Sequence, residues 1–124
     1  MKQICDVWIV DVSDSSVSHR QTKHAVCVSV SGDGFLLINS IHRAMYDDFM
    51  IEAKCYPFLK GTDRYVACHA IHHFPAERME RKVGALTVAD MTILTEKIRN
   101  SRRISGRERN TILPELEKWL LDNS

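Results

Sequence analysis

The chain has 124 residues, the length of one domain with a core of its own. Its formal net charge of +1 gives no overall attraction to nucleic acid or to a membrane, and its apolar residues form no run of the ~18 that a bilayer span needs. The first residues lack the apolar core of a signal peptide, so we expect a cytoplasmic protein without membrane contact.

Five strands are predicted before residue 75. Some of these segments are rich in β-branched and aromatic residues, and others alternate apolar with polar side chains. The second and third strands are joined by Gly32-Asp33-Gly34, which can supply the positive φ of a tight hairpin. Polar loops are expected at 13–22 and 42–48. The predicted strands are 7–12, 24–31, 35–41, 49–55 and 65–74.

A helix is predicted after a linking turn at 75–86, in which Gly84 helps the chain to turn. The helix covers about 88–100, because Thr87 and Asp90 have the spacing of a capping pair at its N-terminus. Its apolar side chains recur at helical spacing and form one stripe. These side chains are Met91, Leu94 and Ile98.

A second helix is predicted at about 114–122, beginning at Pro114, whose missing N–H is harmless in a first turn. Residues 101–110 separate the helices, with Gly106 as a C-cap or hinge. Consecutive strands followed by helices exclude a doubly wound α/β fold. We therefore predict an α+β, mainly β protein: a small antiparallel barrel or bent sheet with C-terminal helices.

The cysteine and histidine spacing does not favour a metal site. The four cysteines form no C-x-x-C pair and lie in predicted strands, which favours reduced, buried thiols. Cys68 and His72 share one face of a predicted strand, but alternation directs His73 to the other face. Two ligands are too few for a structural zinc site, so neither a metal nor another cofactor is predicted.

The order of three segments resembles the MazF/PemK toxin family, which is related to CcdB. Residues 6–11 (DVWIVD) are similar to the opening strand of that family, with Cys5 where glycine is usual. Residues 23–29 (KHAVCVS) are similar to its second strand. Residues 66–79, followed by 83–91 (VGALTVADM), are similar to its last strand and the start of its helix.

The resemblance covers about residues 4–100. It implies an SH3-like barrel with a helix over residues 1–100, and it leaves 101–124 as a C-terminal helical extension of the same domain. It also implies an activity, since family members are mostly metal-independent endoribonucleases that cleave single-stranded RNA. They work as homodimers and are paired with a cognate antitoxin.

Three residues match family positions. Lys23 corresponds to the arginine that opens the second strand, Ser40 to the serine or threonine that ends the third, and His72 to the basic residue near the end of the last. The family's arginine-proline pair is Lys23-His24 here, and lysine cannot hold a phosphate with a bidentate fork. The alternative is a non-catalytic barrel that binds RNA or a protein target, as CcdB-like members bind gyrase.

RNA cleavage by internal transfer requires a base, an acid and a cation beside the phosphate. Histidine suits the first two roles and lysine the third. The predicted catalytic residues are Lys23, His24, Ser40 and His42. Residues 97–109 carry six basic side chains and one acidic one, which can track an RNA backbone or dock an acidic antitoxin tail. The predicted RNA contacts are Arg20, Arg43, His72, Arg102 and Arg103. We expect the neighbourhoods of His24 and His42 to meet on one concave surface.

Overall fold

The computed structural model describes residues 2–13 and 21–124, which contain seven strands and two helices. The strands are β1 (Asp6–Asp11), β2 (Thr22–Ser29), β3 (Gly34–Asn39), β4 (Phe49–Ile51), β5 (Arg64–Val66), β6 (His72–His73) and β7 (Met79–Ala85). The helices are α1 (Val88–Asn100) and α2 (Gly106–Asn123). Single 3-10 turns lie at Ala44–Tyr46, Ala53–Cys55, Pro57–Leu59 and Ala76–Arg78.

The strands form one antiparallel sheet in the order β4-β5-β3-β2-β1-β7, and β6 pairs with β3 beside β5. The predicted class, α+β and mainly β with an antiparallel sheet and C-terminal helices, is confirmed. Over the described ranges the sheet does not close into a barrel. Neither α1 nor α2 is long and apolar enough to cross a bilayer.

The strand predicted at 65–74 is divided into β5 and β6, which pair with the same edge of β3. Pairing continues past β5, where the Ala67 N–H donates to the Leu37 carbonyl at 2.9 Å. The chain then leaves β3, because the Cys68 N–H donates to the Tyr46 carbonyl at 3.0 Å instead. The chain that pairs with this edge of β3 is therefore interrupted by an irregular segment between β5 and β6. Side chains in that segment need not alternate between the two faces of the sheet.

The linking turn predicted at 75–86 is wrong for most of its length, because β7 occupies residues 79–85 and pairs with β1 at the edge of the sheet. Its charged side chains suit an exposed edge strand. They also interrupt the alternation of apolar and polar residues by which a strand is predicted. Gly84 lies within β7 and accommodates a close contact, since an added Cβ would lie 2.6 Å from Cδ1 of Phe58. Gly84 therefore allows the Phe58 ring to pack closely against the strand and does not form a turn.

The first helix is confirmed as α1, with Thr87 as its N-cap. The Thr87 hydroxyl accepts from the Asp90 N–H at 3.2 Å. A buried Tyr56 hydroxyl strengthens this end of the helix, since it accepts from the Thr87 N–H at 3.0 Å and donates to the Asp90 carboxylate. The cap thus ties α1 to the turn that follows β4. The three apolar side chains of the predicted stripe are buried.

The second helix begins eight residues before its predicted start, so the prediction of Gly106 as a C-cap or hinge is wrong. Gly106 is the first helical residue of α2, and the Ser105 hydroxyl caps it by accepting from the Glu108 N–H at 3.1 Å. Pro114 lies inside the helix. Burial of Ile112 and Leu116 on either side of Pro114 holds the two halves of α2 against the core.

The sheet has two faces with separate cores. We call the face that carries Val7, Val26 and Leu36 the inner face, because α1 and α2 pack against it. The outer face carries a smaller cluster whose buried members are Val10, Ala25, Cys27, Phe35 and Phe74. Because side chains alternate along a strand, Lys23 projects from the outer face and His24 from the inner face.

Candidate functional site

Three neighbouring strands place polar side chains together on the outer face. The Lys23 ammonium donates to the Asn39 side-chain oxygen at 2.8 Å, joining the start of β2 to the end of β3. Asn39 is directly opposite Tyr65 on β5, so their side chains share the face. The hairpin register that aligns β2 with β3 thereby gives a row of a cation, an amide and a phenol.

His42 lies next to this row and is held by a buried carboxylate. Its Nδ1 is 2.5 Å from Oδ1 of Asp48, and its ring centroid is 5.5 Å from that of Tyr65. The Asp48 side chain is 1% exposed, whereas the His42 side chain is 59% exposed. The second Asp48 oxygen accepts from the Arg43 N–H at 2.8 Å, which fixes the carboxylate.

The contact with Asp48 determines which ring nitrogen of His42 can act as a base. An ionised carboxylate only accepts hydrogen bonds, so Nδ1 is the donor. In the neutral ring the lone pair then belongs to Nε2, as in other histidines oriented by a carboxylate. We call Lys23, Asn39, His42, Asp48 and Tyr65 the His42 site. It combines an oriented base, a cation and a phenol proton donor.

An aromatic and basic cluster adjoins this site. The guanidinium carbon of Arg43 lies 5.9 Å from the centroid of the Tyr46 ring, and Tyr46 stacks on His69 with centroids 4.2 Å apart and planes 6° apart. Burial, followed by the charge of Arg103, lowers the pKa of His69. We call Arg43, Tyr46, His69 and Arg103 the Tyr46 cluster. It offers flat rings beside positive charges.

The remaining predicted RNA contacts are distributed differently. Arg102 is exposed and, with Arg103 and Asp47, lines a depression of about 420 Å³ between the helices and the 42–48 loop. His72 is opposite Phe35 and stacks on Phe74 with ring centroids 6.1 Å apart. Burial is the largest cause of its lowered pKa, and the nearby charge of Lys23 contributes to the shift.

The structure separates His24 from Lys23 and His42, which are also predicted catalytic residues. His24 lies on the inner face, where its ring stacks on Phe58 with centroids 5.7 Å apart. Lys23 and His42 instead share the outer face, and the exposed Ser40 lies between β3 and His42. Arg20 lies outside the described residues. The His42 site therefore contains Lys23 and His42, whereas Ser40 is close to it in the chain only and His24 lies on the other face.

Sequence reasoning did not identify Asn39, Asp48 or Tyr65. The available signal for Asp48 is its position: a carboxylate directly before an apolar strand and six residues after a histidine, with a polar loop between them. Asn39 and Tyr65 require the strand register, which no local pattern gives. In the described part of the chain, no group of three or more histidine, cysteine or acidic residues is arranged to hold a metal ion.

Comparisons with known proteins add no relative. Neither a scan against models of protein families nor a search of curated proteins gives a match for this chain. The likeness to the MazF/PemK family accordingly rests on the three sequence segments alone, and the catalytic assignments stay predictions.

Proposed function

We propose that this protein is a metal-independent endoribonuclease that cleaves single-stranded RNA by internal transesterification. The observation that carries the proposal is the exposed His42 ring, held at 2.5 Å by the buried Asp48 carboxylate and 5.5 Å from the Tyr65 ring, on the face that also carries the Lys23–Asn39 pair. An oriented histidine and a cation on one surface are the groups that a metal-independent transesterification requires.

In the proposed reaction, Nε2 of His42 takes the proton of the ribose 2′-hydroxyl. The 2′-oxygen then attacks phosphorus and forms a new O–P bond, while the bond from phosphorus to the 5′-oxygen breaks. The products are a 2′,3′-cyclic phosphate and a 5′-hydroxyl, whose proton comes from Tyr65, Lys23 or solvent. Lys23 stabilises the extra negative charge that develops on the phosphorane. Asp48 acts as a positioning residue through His42.

The Tyr46 cluster supports the proposal from the binding side. Single-stranded RNA is bound through bases stacked on aromatic rings and through basic contacts to phosphates. The stacked rings of Tyr46 and His69 supply the aromatic surface, and Arg43 supplies a positive charge. Arg43 and Tyr46 follow His42 in the same loop. A bound strand would thus be held beside the base that acts on it.

The MazF/PemK resemblance supplies the biological part of the proposal. It implies a cytoplasmic toxin that works as a homodimer and is paired with a cognate antitoxin. One backbone feature agrees with the resemblance: Cys5 has φ of 75°, a left-handed value that favours glycine, and glycine is usual there in the family. The antitoxin partner and the dimer stand on this resemblance.

Cleavage of end-labelled single-stranded RNA, with and without EDTA, tests the activity. We expect cleavage in both conditions, with 2′,3′-cyclic phosphate termini. His42→Gln should slow cleavage by about a hundredfold to ten-thousandfold and Lys23→Ala by about a hundredfold. Lys54→Ala is the matched control, since Lys54 is 79% exposed and lies outside the His42 site. A folded wild-type protein that cleaves no RNA in either condition would contradict the proposal.

A second candidate is a non-catalytic protein that binds a protein target. The observation that favours it is a set of exposed apolar side chains around His42: Ile41, Met45 and Met50 are 61%, 60% and 44% exposed. Such residues commonly mark protein contacts. Growth inhibition that survives His42→Gln but is lost in Met45→Ser would select this candidate. Growth inhibition that is lost in His42→Gln but survives in Met45→Ser would select the nuclease.

A further inference from the structure

A basic groove lies on the inner face, on the other side of the sheet from the His42 site. It has a volume of about 620 Å³ and is bounded by β7 and by the segment that precedes β5. Ile9 is opposite both His24 and Arg81 in the β1 pairings, so these three side chains form one row across its floor. We call this cavity the His24 groove.

Among residues 2–13 and 21–124, the lining of the groove is cationic and contains no carboxylate. Four basic side chains contribute to it: Lys60, Arg64, Arg81 and Lys82. Lys82 is paired with Asp6 at 3.1 Å, whereas the other three have no ion-pair partner among residues 2–13 and 21–124. Nε of Arg64 is buried and lacks a hydrogen-bond partner in the same ranges. Buried donors normally have an acceptor, so the side chain of Arg64 retains unused hydrogen-bonding capacity in this structure.

The charges converge on the His24 ring. Burial lowers the pKa of His24, and the charges of Arg64, Arg81 and Lys60 lower it further. The imidazole is therefore neutral at pH 7 and can donate or accept a hydrogen bond without adding charge. Because each of these side chains affects the same ring, they form one positively charged site.

The groove is also shaped by close packing. The Phe58 ring forms one wall, stacked on His24 with an angle of 24° between the ring planes. Gly84 gives Phe58 its place, since a Cβ there would lie 2.6 Å from the ring. The volume falls within the range of small-molecule sites, roughly 300–1,000 Å³. The cavity thus has an aromatic wall, a neutral histidine and two arginines that form no ion pair with any residue the structure describes.

We propose that the His24 groove binds a phosphate-bearing ligand, with Arg64 and Arg81 as its main contacts. A guanidinium group can bind two phosphate oxygens through two parallel N–H donors, and Arg64 and Arg81 both line the groove. A nucleotide and an oligonucleotide strand share this chemistry. The site does not depend on the proposed nuclease, because Lys23 and His42 lie on the outer face.

Binding measurements by calorimetry with the full chain test the proposal. The probes are pyrophosphate, adenosine 5′-monophosphate and a hexamer of deoxythymidine, which lacks the 2′-hydroxyl and so cannot be cleaved by the proposed reaction. We expect at least one probe to bind and to shift the NMR signals of the Arg64 Nε–H and the His24 ring. Arg81→Gln should weaken binding by about tenfold. Arg107→Gln, an equal charge change on exposed α2 surface, should not.

The outcomes separate the ligand sources and allow refutation. Binding of pyrophosphate or the nucleotide indicates a small ligand, whereas binding of the hexamer alone indicates a strand. Thr62→Glu places a carboxylate in the groove from an exposed position and should weaken binding even if Arg81→Gln misfolds. The proposal is overturned if no probe binds or if Arg81→Gln binds the probes as wild type does.

Discussion

Asp48→Asn should inactivate the proposed nuclease while leaving the protein folded. The carboxylate has two contacts, Nδ1 of His42 at 2.5 Å and the Arg43 N–H at 2.8 Å. Asparagine has one accepting oxygen, and the backbone N–H of Arg43 must keep an acceptor because it cannot donate elsewhere without moving the chain. The asparagine NH₂ then faces Nδ1.

A side-chain amide nitrogen only donates, so Nδ1 becomes an acceptor and the ring proton moves to Nε2. The lone pair needed to deprotonate the 2′-hydroxyl is then lost. General-base catalysis contributes about a hundredfold to ten-thousandfold, and a triad histidine with its tautomer reversed in this way loses about ten-thousandfold. We therefore expect the cleavage rate to fall by about a hundredfold or more. Loss of a charge-assisted bond should destabilise the fold by about 1–2 kcal/mol.

Single-turnover cleavage and nitrogen NMR of the His42 ring measure the two effects separately. Asp47→Asn is the matched control, because it makes the same change one residue away and Asp47 has φ of 49°, which asparagine tolerates. It should cleave RNA as wild type does. A reversed tautomer with an unchanged cleavage rate would show that His42 is not the base. An unchanged tautomer would refute the geometric reasoning itself.

Two further predictions concern stability. Tyr56→Phe removes a buried hydroxyl whose pKa is raised to about 12 by burial and then by its bond to Asp90, and it leaves the Thr87 N–H without its acceptor. Urea unfolding should show a loss of about 2–3 kcal/mol; an unchanged midpoint would contradict the capping role. Three histidines have pKa values below the ordinary 6.5, mainly because of burial: His24, His69 and His72. The unfolded chain then binds more protons below pH 6.5, so the free energy of unfolding should decrease as pH falls through that range, and His24→Phe should reduce the slope.

Much of the fold could be predicted where local patterns agree with tertiary structure. The hairpin between β2 and β3 and the cap at Thr87 follow from residue types at fixed spacings. β7 could not be predicted, because its strand pairing is a long-range contact with β1 and its first half carries three consecutive charged residues, 80–82. The start of α2 at Gly106 had a local signal, Ser105 followed three residues later by Glu108, which the later Pro114 outweighed.

The candidate site was predictable in its residue types but not in its grouping. Lys23 and His42 could be selected because a cation and a histidine suit the chemistry. Their placement on one face depends on the β2–β3 register and on the path of the 42–48 loop, which brings Asp48 back to His42. Strand alternation alone, applied to adjacent residues, separates Lys23 from His24. The contact between His42 and Asp48 depends on the three-dimensional path of the loop, so it could not be predicted from the sequence.

The same alternation explains how one end of a small sheet can carry two different surfaces. In β2, Lys23 faces the His42 site and His24 faces the groove; in β5, Tyr65 faces the site and Arg64 faces the groove. Each surface uses one residue of each adjacent pair. A one-residue slip of β2 would exchange them and move a charged ammonium toward the main core. Burial of Val26 beneath the helices opposes that slip, and the packing of the core thereby keeps both polar surfaces in position.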